Sequence, residues 1–385
     1  MKGAAAAFTA PAALSIVTTT FPEGPARNRA ISIFGVFGAS GYSLGLVFSG
    51  LMTEVGWRWT FLLPVPLAIL TLIAGVKLIP PAGRPDRDGR GYDVLGAVTG
   101  AAAMLLLVYS VVNAPEVGWT AAPTVIGVLV AAGLAVAFVT VEARSRHPLV
   151  RLGILSSGPL RRANLGAMVF FGGFIGFQFV AMLYLQSVRD WSPLQTALAF
   201  LPAALIVAFG SPRTGPVMDR IGTVPLIVAG VASHVVGYAL FFRVDATSGY
   251  LGSVLPSMVL LGIGFMLAFP ALNVQATSGV ADHEQGLAGG LLNTSVQIGG
   301  AVGLAVVTAV VTAVVTASGG AEASPAALLA GFRPALAVVA GLALVGLVVA
   351  LAGVAAQRRR LEATAPAGDD PLLVVSPVPE SLGSR

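Results

Sequence analysis

Residues 194–242 read LQTALAFLPAALIVAFGSP, RTGPVMDRIG and TVPLIVAGVASHVVGYALFF, two long apolar runs separated by a short charged loop. An α-helix needs about 20 apolar residues to cross the hydrocarbon core of a bilayer, whereas a strand of an outer-membrane barrel needs only about ten alternating ones. The two runs therefore predict two membrane-spanning helices joined by a tight loop.

The composition extends this pattern to the whole chain. Of its 385 residues, 56% are hydrophobic and 10% are charged, and the mean hydropathy is +0.87. An ordinary soluble domain carries about a quarter charged residues. We predict an all-α polytopic membrane protein with eleven spans, near 3–20, 30–54, 60–80, 94–112, 122–141, 163–187, 194–212, 223–242, 251–272, 287–317 and 331–356.

The first predicted span has an alternative interpretation. Lys2 precedes a short apolar core, which is also the pattern of a signal peptide. The connections between spans are too short to hold a separate folded domain. The segment 357–385 is rich in Pro, Ser and acidic residues, and its composition predicts a disordered tail.

Several functional classes are excluded by the residue types. The chain has no cysteine, so it has no disulfide framework, thiolate nucleophile or cysteine-based metal site. Its three histidines, His147, His234 and His283, are scattered along the chain, whereas a membrane-embedded enzyme needs clustered catalytic groups. We expect no enzymatic activity, metal or cofactor. The basic residues lie in short clusters between apolar runs, so no nucleic-acid partner is expected despite a net charge of +5.

The distribution of basic residues predicts the orientation, because positively charged short loops are retained in the cytoplasm. Seventeen of the 22 lysines and arginines fall on one side of the predicted topology. The other side holds Lys2, Arg58, Arg189, Arg243 and Arg333. This asymmetry predicts a cytoplasmic C-terminus.

A long-range repeat relates the second and tenth spans. At an offset of 258 residues, Ala30, Gly41 and Gly45 fall on Ala288, Gly299 and Gly303. Chance similarity in a chain rich in Ala and Gly is the alternative. If the repeat is real, spans one to three resemble spans nine to eleven, and spans six to eight have no counterpart ahead of the first span.

Several segments, in order, resemble the 14-helix drug:proton antiporter branch of the major facilitator superfamily. They are APAALSIVTTTFPEGPARNRA (10–30), the glycine pattern Gly41-x3-Gly45-x4-Gly50, WRWTF (57–61), WSPLQTA (191–197), GPVMDRIG (215–222) and the glycine-rich start of the tenth span (286–303). The branch has Pro after the second glycine of the pattern, where this chain has Leu46.

The resemblance implies a division of the chain. Residues 1–80 are the latter part of a first helical half, and 81–162 contain two inserted helices and a central cytoplasmic loop. Residues 163–356 form a complete six-helix second half, and 357–385 form the tail. On this interpretation the first three helices of the family are lacking, and with them the acidic residue that the family associates with proton coupling.

The resemblance also implies gating positions. Glycines four apart let helix backbones approach closely at an interface that seals or slides. The predicted gating or conformational residues are Gly41, Gly45, Gly50, Gly215, Asp219, Arg220 and Gly222. Asp219 can cap the following helix or pair with a cation, and Arg220 anchors the cytoplasmic face.

A cavity for bulky amphipathic compounds needs aromatic walls and a few polar groups at depth. The candidate lining residues are Phe170, Phe174, Phe177, Gln178, Phe265, Phe269 and Asn273. The alternative for the phenylalanines is that they face lipid or pack in the core. His234 lies midway through a span, so it is a candidate for a proton-linked role, and a neutral imidazole bonded to a neighbouring helix is the alternative.

Together these observations predict a monomeric multi-pass transporter of the cell membrane. We expect proton-coupled efflux of small amphipathic or cationic drugs or metabolites by alternating access, which implies a role in antibiotic resistance. The alternative is an N-terminally truncated fragment of such an exporter, inactive in transport.

Overall fold

The computed structural model describes residues 47–79, 93–145, 148–281, 284–317 and 325–364, together with residues 16, 20, 41 and 45. The main helices are α1 (Pro64–Leu78), α2 (Val94–Val117), α3 (Ala122–Arg144), α4 (Gly158–Leu183), α5 (Pro193–Gly210), α6 (Thr214–Ile221), α7 (Thr223–Phe241), α8 (Leu255–Thr277), α9 (Gln285–Ala317) and α10 (Pro325–Thr364). Residues 47–55 are also helical, and a short turn at Trp59–Leu62 precedes α1.

Within these ranges, nine helices are long and apolar enough to cross a membrane. They correspond to the last nine predicted spans. The predicted spans near 3–20 and 30–54 lie largely outside the described residues, so the count of eleven is not confirmed. The predicted tail from 365 onward also lies outside them.

The helix ends differ from the predicted spans because capping extends a helix past its apolar run. The predicted span at 163–187 begins five residues earlier, as α4, where the Ser157 hydroxyl accepts a hydrogen bond from the Leu160 amide and Pro159 occupies the first turn. Likewise α10 continues through the basic residues 358–360 to Thr364. Hydropathy marks the membrane-embedded part of a helix and not its ends.

Helices α4, α5 and α7–α10 form one bundle. Helix α4 packs against α8, α9 and α10; α7 packs against α8 and α10; α5 packs against α8. Two buried apolar clusters fill the interior, one around Phe177 and Tyr238 and the other around Leu160 and Leu272. We call the end of the bundle near Leu160 the basic end, because Arg161 and Arg162 lie there, and the other end the opposite end.

Small residues allow α4 and α9 to pack closely against each other. A Cβ built on Gly172 of α4 would lie 3.0 Å from the carbonyl oxygen of Gly299 on α9. Gly303 of α9 likewise faces the backbone of Gly172. Lipid gives little hydrophobic drive for helices to associate, so close backbone packing of this kind supplies much of the attraction.

Helices α2 and α3 form an antiparallel hairpin beside the bundle. They pack against each other, and α2 also packs against α9. Asp93 caps the start of α2 at the basic end, and α3 returns to that end at Arg144. Both ends of the hairpin therefore lie at one end of the bundle.

Candidate functional site

An aromatic cluster lies between α4 and α8. Phe171 contacts Phe265 and Phe269, with ring centroids 5.7 Å and 5.3 Å apart, and the last two rings lie 5.1 Å from each other. All three side chains are half-buried. We call Phe171, Phe265 and Phe269 the aromatic face.

The predicted lining residues divide between this face and the bundle interior. Phe265 and Phe269 belong to the aromatic face, and Asn273 is exposed one turn beyond it, where its side-chain amide donates to the Phe269 carbonyl at 2.8 Å. Gln178 is half-buried. Phe171 was not among the predicted lining residues, because helical spacing from Phe170 leads to Phe174 and Phe177 instead.

The other three phenylalanines pack inside the bundle. Phe170 and Phe174 are buried, with ring planes nearly parallel to the His234 imidazole and centroids 4.5 Å and 5.9 Å from it. Phe177 is fully enclosed and stacks on Tyr238 at 4.6 Å. Phe170 and Phe174 also contact Phe171 and Phe265 of the aromatic face.

His234 is 1% exposed and both of its ring nitrogens have partners. Nε2 lies 3.1 Å from the Leu261 carbonyl oxygen, which can only accept, so we assign the proton to Nε2. Nδ1 then accepts from the Tyr238 hydroxyl at 3.2 Å. This arrangement suits a neutral imidazole that joins α7 to α8.

At the opposite end, the helical segment 47–55, which we call the Gly50 segment, contacts the start of α5. A Cβ on Gly50 would lie 2.8 Å from the Ala197 Cβ and 3.1 Å from the Leu194 Cα. The Ser192 hydroxyl donates to Glu54 Oε1 at 2.7 Å. Gly50 therefore lies at a contact between the two predicted halves.

No described residue crowds the other two glycines of that pattern. Within the described part of the chain, no atom lies within 4 Å of a Cβ built on Gly41 or Gly45. Their partners in the predicted repeat, Gly299 and Gly303, face the α4 backbone. The repeat itself remains a prediction.

The predicted gating loop forms a short helix. Residues 211–213 make a tight turn, α6 follows, and Gly222 begins α7 with φ +83°, a conformation that glycine adopts readily. Asp219 and Arg220 are exposed, and in the described part of the chain no atom lies within 4 Å of a Cβ built on Gly215. Since α7 starts without a side-chain cap, Asp219 does not cap it.

Several polar groups lie at the opposite end of the bundle, in and beside the loop that joins α7 to α8. The Tyr184 hydroxyl donates to the Asp245 carbonyl oxygen at 2.7 Å. The Asp245 carboxylate accepts from the Thr247 amide at 2.8 Å and from the hydroxyls of Thr247 and Ser248. These hydrogen bonds, the Thr247 amide first, lower the pKa of Asp245 below its ordinary value.

Comparison with known proteins agrees with this architecture. Residues 1–304 match the Major Facilitator Superfamily. The puromycin resistance protein pur8 of Streptomyces alboniger is 35% identical over 314 residues, covering 78% of this chain and 60% of that protein. The tetracenomycin C resistance and export protein of Streptomyces glaucescens is 33% identical, with 78% and 56% covered.

A third relative is the cephamycin export protein CmcT of Amycolatopsis lactamdurans, 34% identical with 78% of this chain and 62% of that protein covered. The chain thus spans between 56% and 62% of the length of these three relatives. Nine candidate spans in its described part make it a multi-pass membrane protein. The family match, which covers most of the chain, shows that it belongs to the Major Facilitator Superfamily, a family of membrane transporters and not of enzymes.

Proposed function

We propose that this protein exports small amphipathic or cationic compounds across the cell membrane by alternating access, in exchange for protons. The observation that carries the proposal is the aromatic face, with the amide of Asn273 beside it. Half-buried aromatic rings bind flat apolar or cationic molecules through dispersion and cation–π attraction. The names of the three relatives, all resistance or export proteins, support the same direction of transport.

Alternating access requires a contact that forms in one state and breaks in the other. The Gly50 segment supports this role, because it meets α5 through close backbone packing and one side-chain hydrogen bond. We propose that this contact closes the opposite end of the transporter. The loop with Asp219 and Arg220 has the corresponding role at the basic end, which we propose faces the cytoplasm together with the C-terminus.

The coupling ion is a separate part of the proposal. His234 is buried between α7 and α8 with both nitrogens occupied. A proton-linked role would require one of these hydrogen bonds to break during transport. The geometry favours a structural role for His234, and we assign the coupling step to no residue of this chain.

Accumulation of ethidium, a small aromatic cation, tests the proposed site. In a host without its own efflux pumps, cells that express the chain should retain less ethidium than cells with an empty vector. Phe269→Ala should weaken the apparent affinity about fivefold or more, since truncating a central aromatic anchor costs more than about 1 kcal/mol. The control is Phe138→Ala, a half-buried phenylalanine that packs on Gly100 in the α2–α3 hairpin.

The control distinguishes a loss of substrate binding from a general effect of removing a phenylalanine side chain. Loss of efflux in Phe269→Ala but not in Phe138→Ala, at equal membrane expression, supports the aromatic face as the binding surface. Equal efflux in both variants and in the unaltered chain contradicts it. No efflux from the unaltered chain favours the alternative, an inactive fragment of such an exporter.

A further inference from the structure

A small cavity lies at the basic end of the bundle, where α4, α7, α8 and α10 meet. Its volume is about 10 Å³, which is enough for one water-sized group, such as a single oxygen atom of a larger molecule. Most of its wall is apolar, with Val224 and Ile227 from α7, Leu272 from α8 and Val349 from α10. A group that enters this cavity therefore meets mainly hydrocarbon.

Two polar side chains interrupt the apolar wall, Arg162 of α4 and Gln275 of α8. Arg162 is half-buried, so its positive charge lies beside apolar side chains. Gln275 is 6% exposed, and within the described part of the chain its side-chain amide forms no hydrogen bond. Among the described residues that line the cavity, none is acidic. Both side chains can donate hydrogen bonds, so the wall favours a negatively charged group that accepts them.

Two glycines in the wall leave space beside these polar groups. A Cβ built on Gly353 of α10 would lie 3.6 Å from Val224 Cγ1 and 3.8 Å from Arg162 Nε. A Cβ built on Gly166 of α4 would lie 3.2 Å from a methyl carbon of Leu272. Larger side chains at the two positions would therefore occupy space next to the guanidinium.

The surroundings of the cavity are electrostatically positive. Helix α7 begins at Thr223 without a side-chain cap, and the next residue, Val224, lines the cavity. The free amide groups at the start of a helix carry a partial positive charge. Arg161 and Arg220 are exposed at the same end, where they outnumber the exposed Asp219. This field favours an anion at the cavity.

We propose that Arg162 and Gln275 bind a phosphate group, with one of its oxygens in the cavity and the rest of the group outside it. A guanidinium binds phosphate through two parallel hydrogen bonds, which gives this pair both strength and geometric fit. The Gln275 amide adds a further donor. The phosphate belongs either to a membrane lipid, whose headgroup lies at the level of the helix ends, or to free phosphate in solution.

Such a ligand would join two helices of the bundle at the basic end. Arg162 lies in the second turn of α4 and Gln275 in the last turn of α8. Hydrogen bonds from both to one phosphate would hold these helix ends together. This role does not depend on what the transporter carries.

Thermal unfolding of the full chain, purified in non-ionic detergent and freed of lipid, tests the site. The unfolding midpoint is measured with phosphatidylglycerol, with diacylglycerol of the same acyl chains, or with inorganic phosphate, at an ionic strength held constant with sodium chloride. Arg162→Gln removes the guanidinium. Arg161→Gln is the matched control, because it makes the same change of charge at the adjacent, exposed position. Gln275→Glu places a carboxylate beside Arg162, where it replaces the phosphate.

We expect phosphatidylglycerol or inorganic phosphate to raise the midpoint of the unaltered chain and of Arg161→Gln by about 2 °C or more, and diacylglycerol to leave it unchanged. The rise should be absent in Arg162→Gln and in Gln275→Glu. A response to phosphatidylglycerol alone identifies a lipid headgroup as the source, and a response to inorganic phosphate shows that free phosphate is sufficient.

If Arg162→Gln does not purify as a folded protein, Gln275→Glu alone decides. The proposal is overturned if neither phosphate compound raises the midpoint of the unaltered chain. It is also overturned if the folded cavity variants respond as strongly as Arg161→Gln, because the anion would then act elsewhere on the protein.

Discussion

His234 occupies a space that exists because Gly264 has no side chain. A Cβ on Gly264 would lie 2.7 Å from His234 Nε2 and 2.7 Å from the Gly230 carbonyl oxygen. On the other side, Phe170 and Phe174 stack on the imidazole. The imidazole therefore lies between Gly264 and two phenylalanines, and its hydrogen bond to the Leu261 carbonyl joins α7 to α8.

Gly264→Ala should therefore destabilise the protein. The added methyl group must displace His234 or separate α7 from α8, and overpacking of this kind costs about 1–3 kcal/mol. We expect a lower midpoint of thermal unfolding in detergent. Gly341→Ala on α10 is the control, because none of the residues that the structure describes lies within 4 Å of a Cβ at that position. Equal midpoints for the two variants would show that the α7–α8 contact is looser than described.

The sequence could indicate which aromatic residues share a helix face, but not which neighbouring helix that face packs against. Spacing from Phe170 selected Phe174 and Phe177, which turn towards His234 and Tyr238 inside the bundle. Phe171 lies one position along the helix and meets α8 instead. Helical periodicity fixes the angle between side chains, whereas the neighbouring helix is set by tertiary packing.

At the scale of elements, the Gly50 segment and α5 make the contact most directly related to alternating access. The Ser192 side chain makes two interactions there. It forms a capping box with Gln195 at the start of α5, and its hydroxyl donates a hydrogen bond to Glu54. The capping signal was visible in the sequence as Ser192-Pro193-Leu194-Gln195. Its contact with Glu54 was not, because 138 positions separate the two residues.

The chain has no native cysteine, so an engineered disulfide can test this contact without competing thiols. Gly50→Cys with Ala197→Cys should form a disulfide on mild oxidation. A Cβ built on Gly50 lies 2.8 Å from the Ala197 Cβ. The two helices therefore need to move apart only slightly to reach the Cβ–Cβ distance of about 3.8 Å that is usual in disulfides. If the contact opens during transport, the oxidised protein should also lose efflux, and reduction should restore it.

Gly45→Cys with Ala197→Cys is the matched pair, because Ala197, like every other described residue, lies more than 4 Å from a Cβ built on Gly45. It should stay reduced under the same oxidation, as judged by thiol labelling. Equal oxidation of both pairs would contradict a specific contact at Gly50. A disulfide at Gly50 that leaves efflux intact would remove the proposed gating role and leave the contact as packing.

The sequence predicted where the membrane-spanning helices lie, but not which residues at their ends come together. Hydropathy located nine spans, since length and apolar content are enough to identify a helix that crosses a bilayer. The sequence did not reveal that Asp93 and Glu142 both lie beside Gly96 at the end of the α2–α3 hairpin, although one residue opens a span and the other closes the next. Antiparallel neighbours bring such positions to the same level, so pairing the ends of adjacent spans is the signal that would have revealed it.

At the scale of the whole molecule, we propose that the excess of basic residues at one end places that end in the cytoplasm. Gly153 lies at the basic end, ahead of α4, and Gly252 lies at the opposite end, ahead of α8; both are exposed, and no described residue lies within 4 Å of a Cβ at either position. In intact cells, a membrane-impermeant maleimide should label Gly252→Cys and leave Gly153→Cys unmodified until the cells are permeabilised. The reverse pattern would invert the topology and place the C-terminus outside.

Among the described residues, the six-helix bundle and α1 differ in burial. The bundle contains two buried apolar clusters, whereas α1 has no buried residue. The chain also spans only 56% to 62% of the length of the three relatives compared above. Whether this 385-residue chain transports by itself is therefore the question on which the proposed function depends.

The most direct measurement is transport by the purified 385-residue chain in liposomes under an imposed pH gradient. With an acidic interior, we predict that ethidium accumulates in the vesicles, that a protonophore abolishes the accumulation, and that Phe269→Ala reduces it. Ethidium levels identical to those of protein-free vesicles, from folded and reconstituted protein, would contradict proton-coupled export by this chain and favour the inactive fragment.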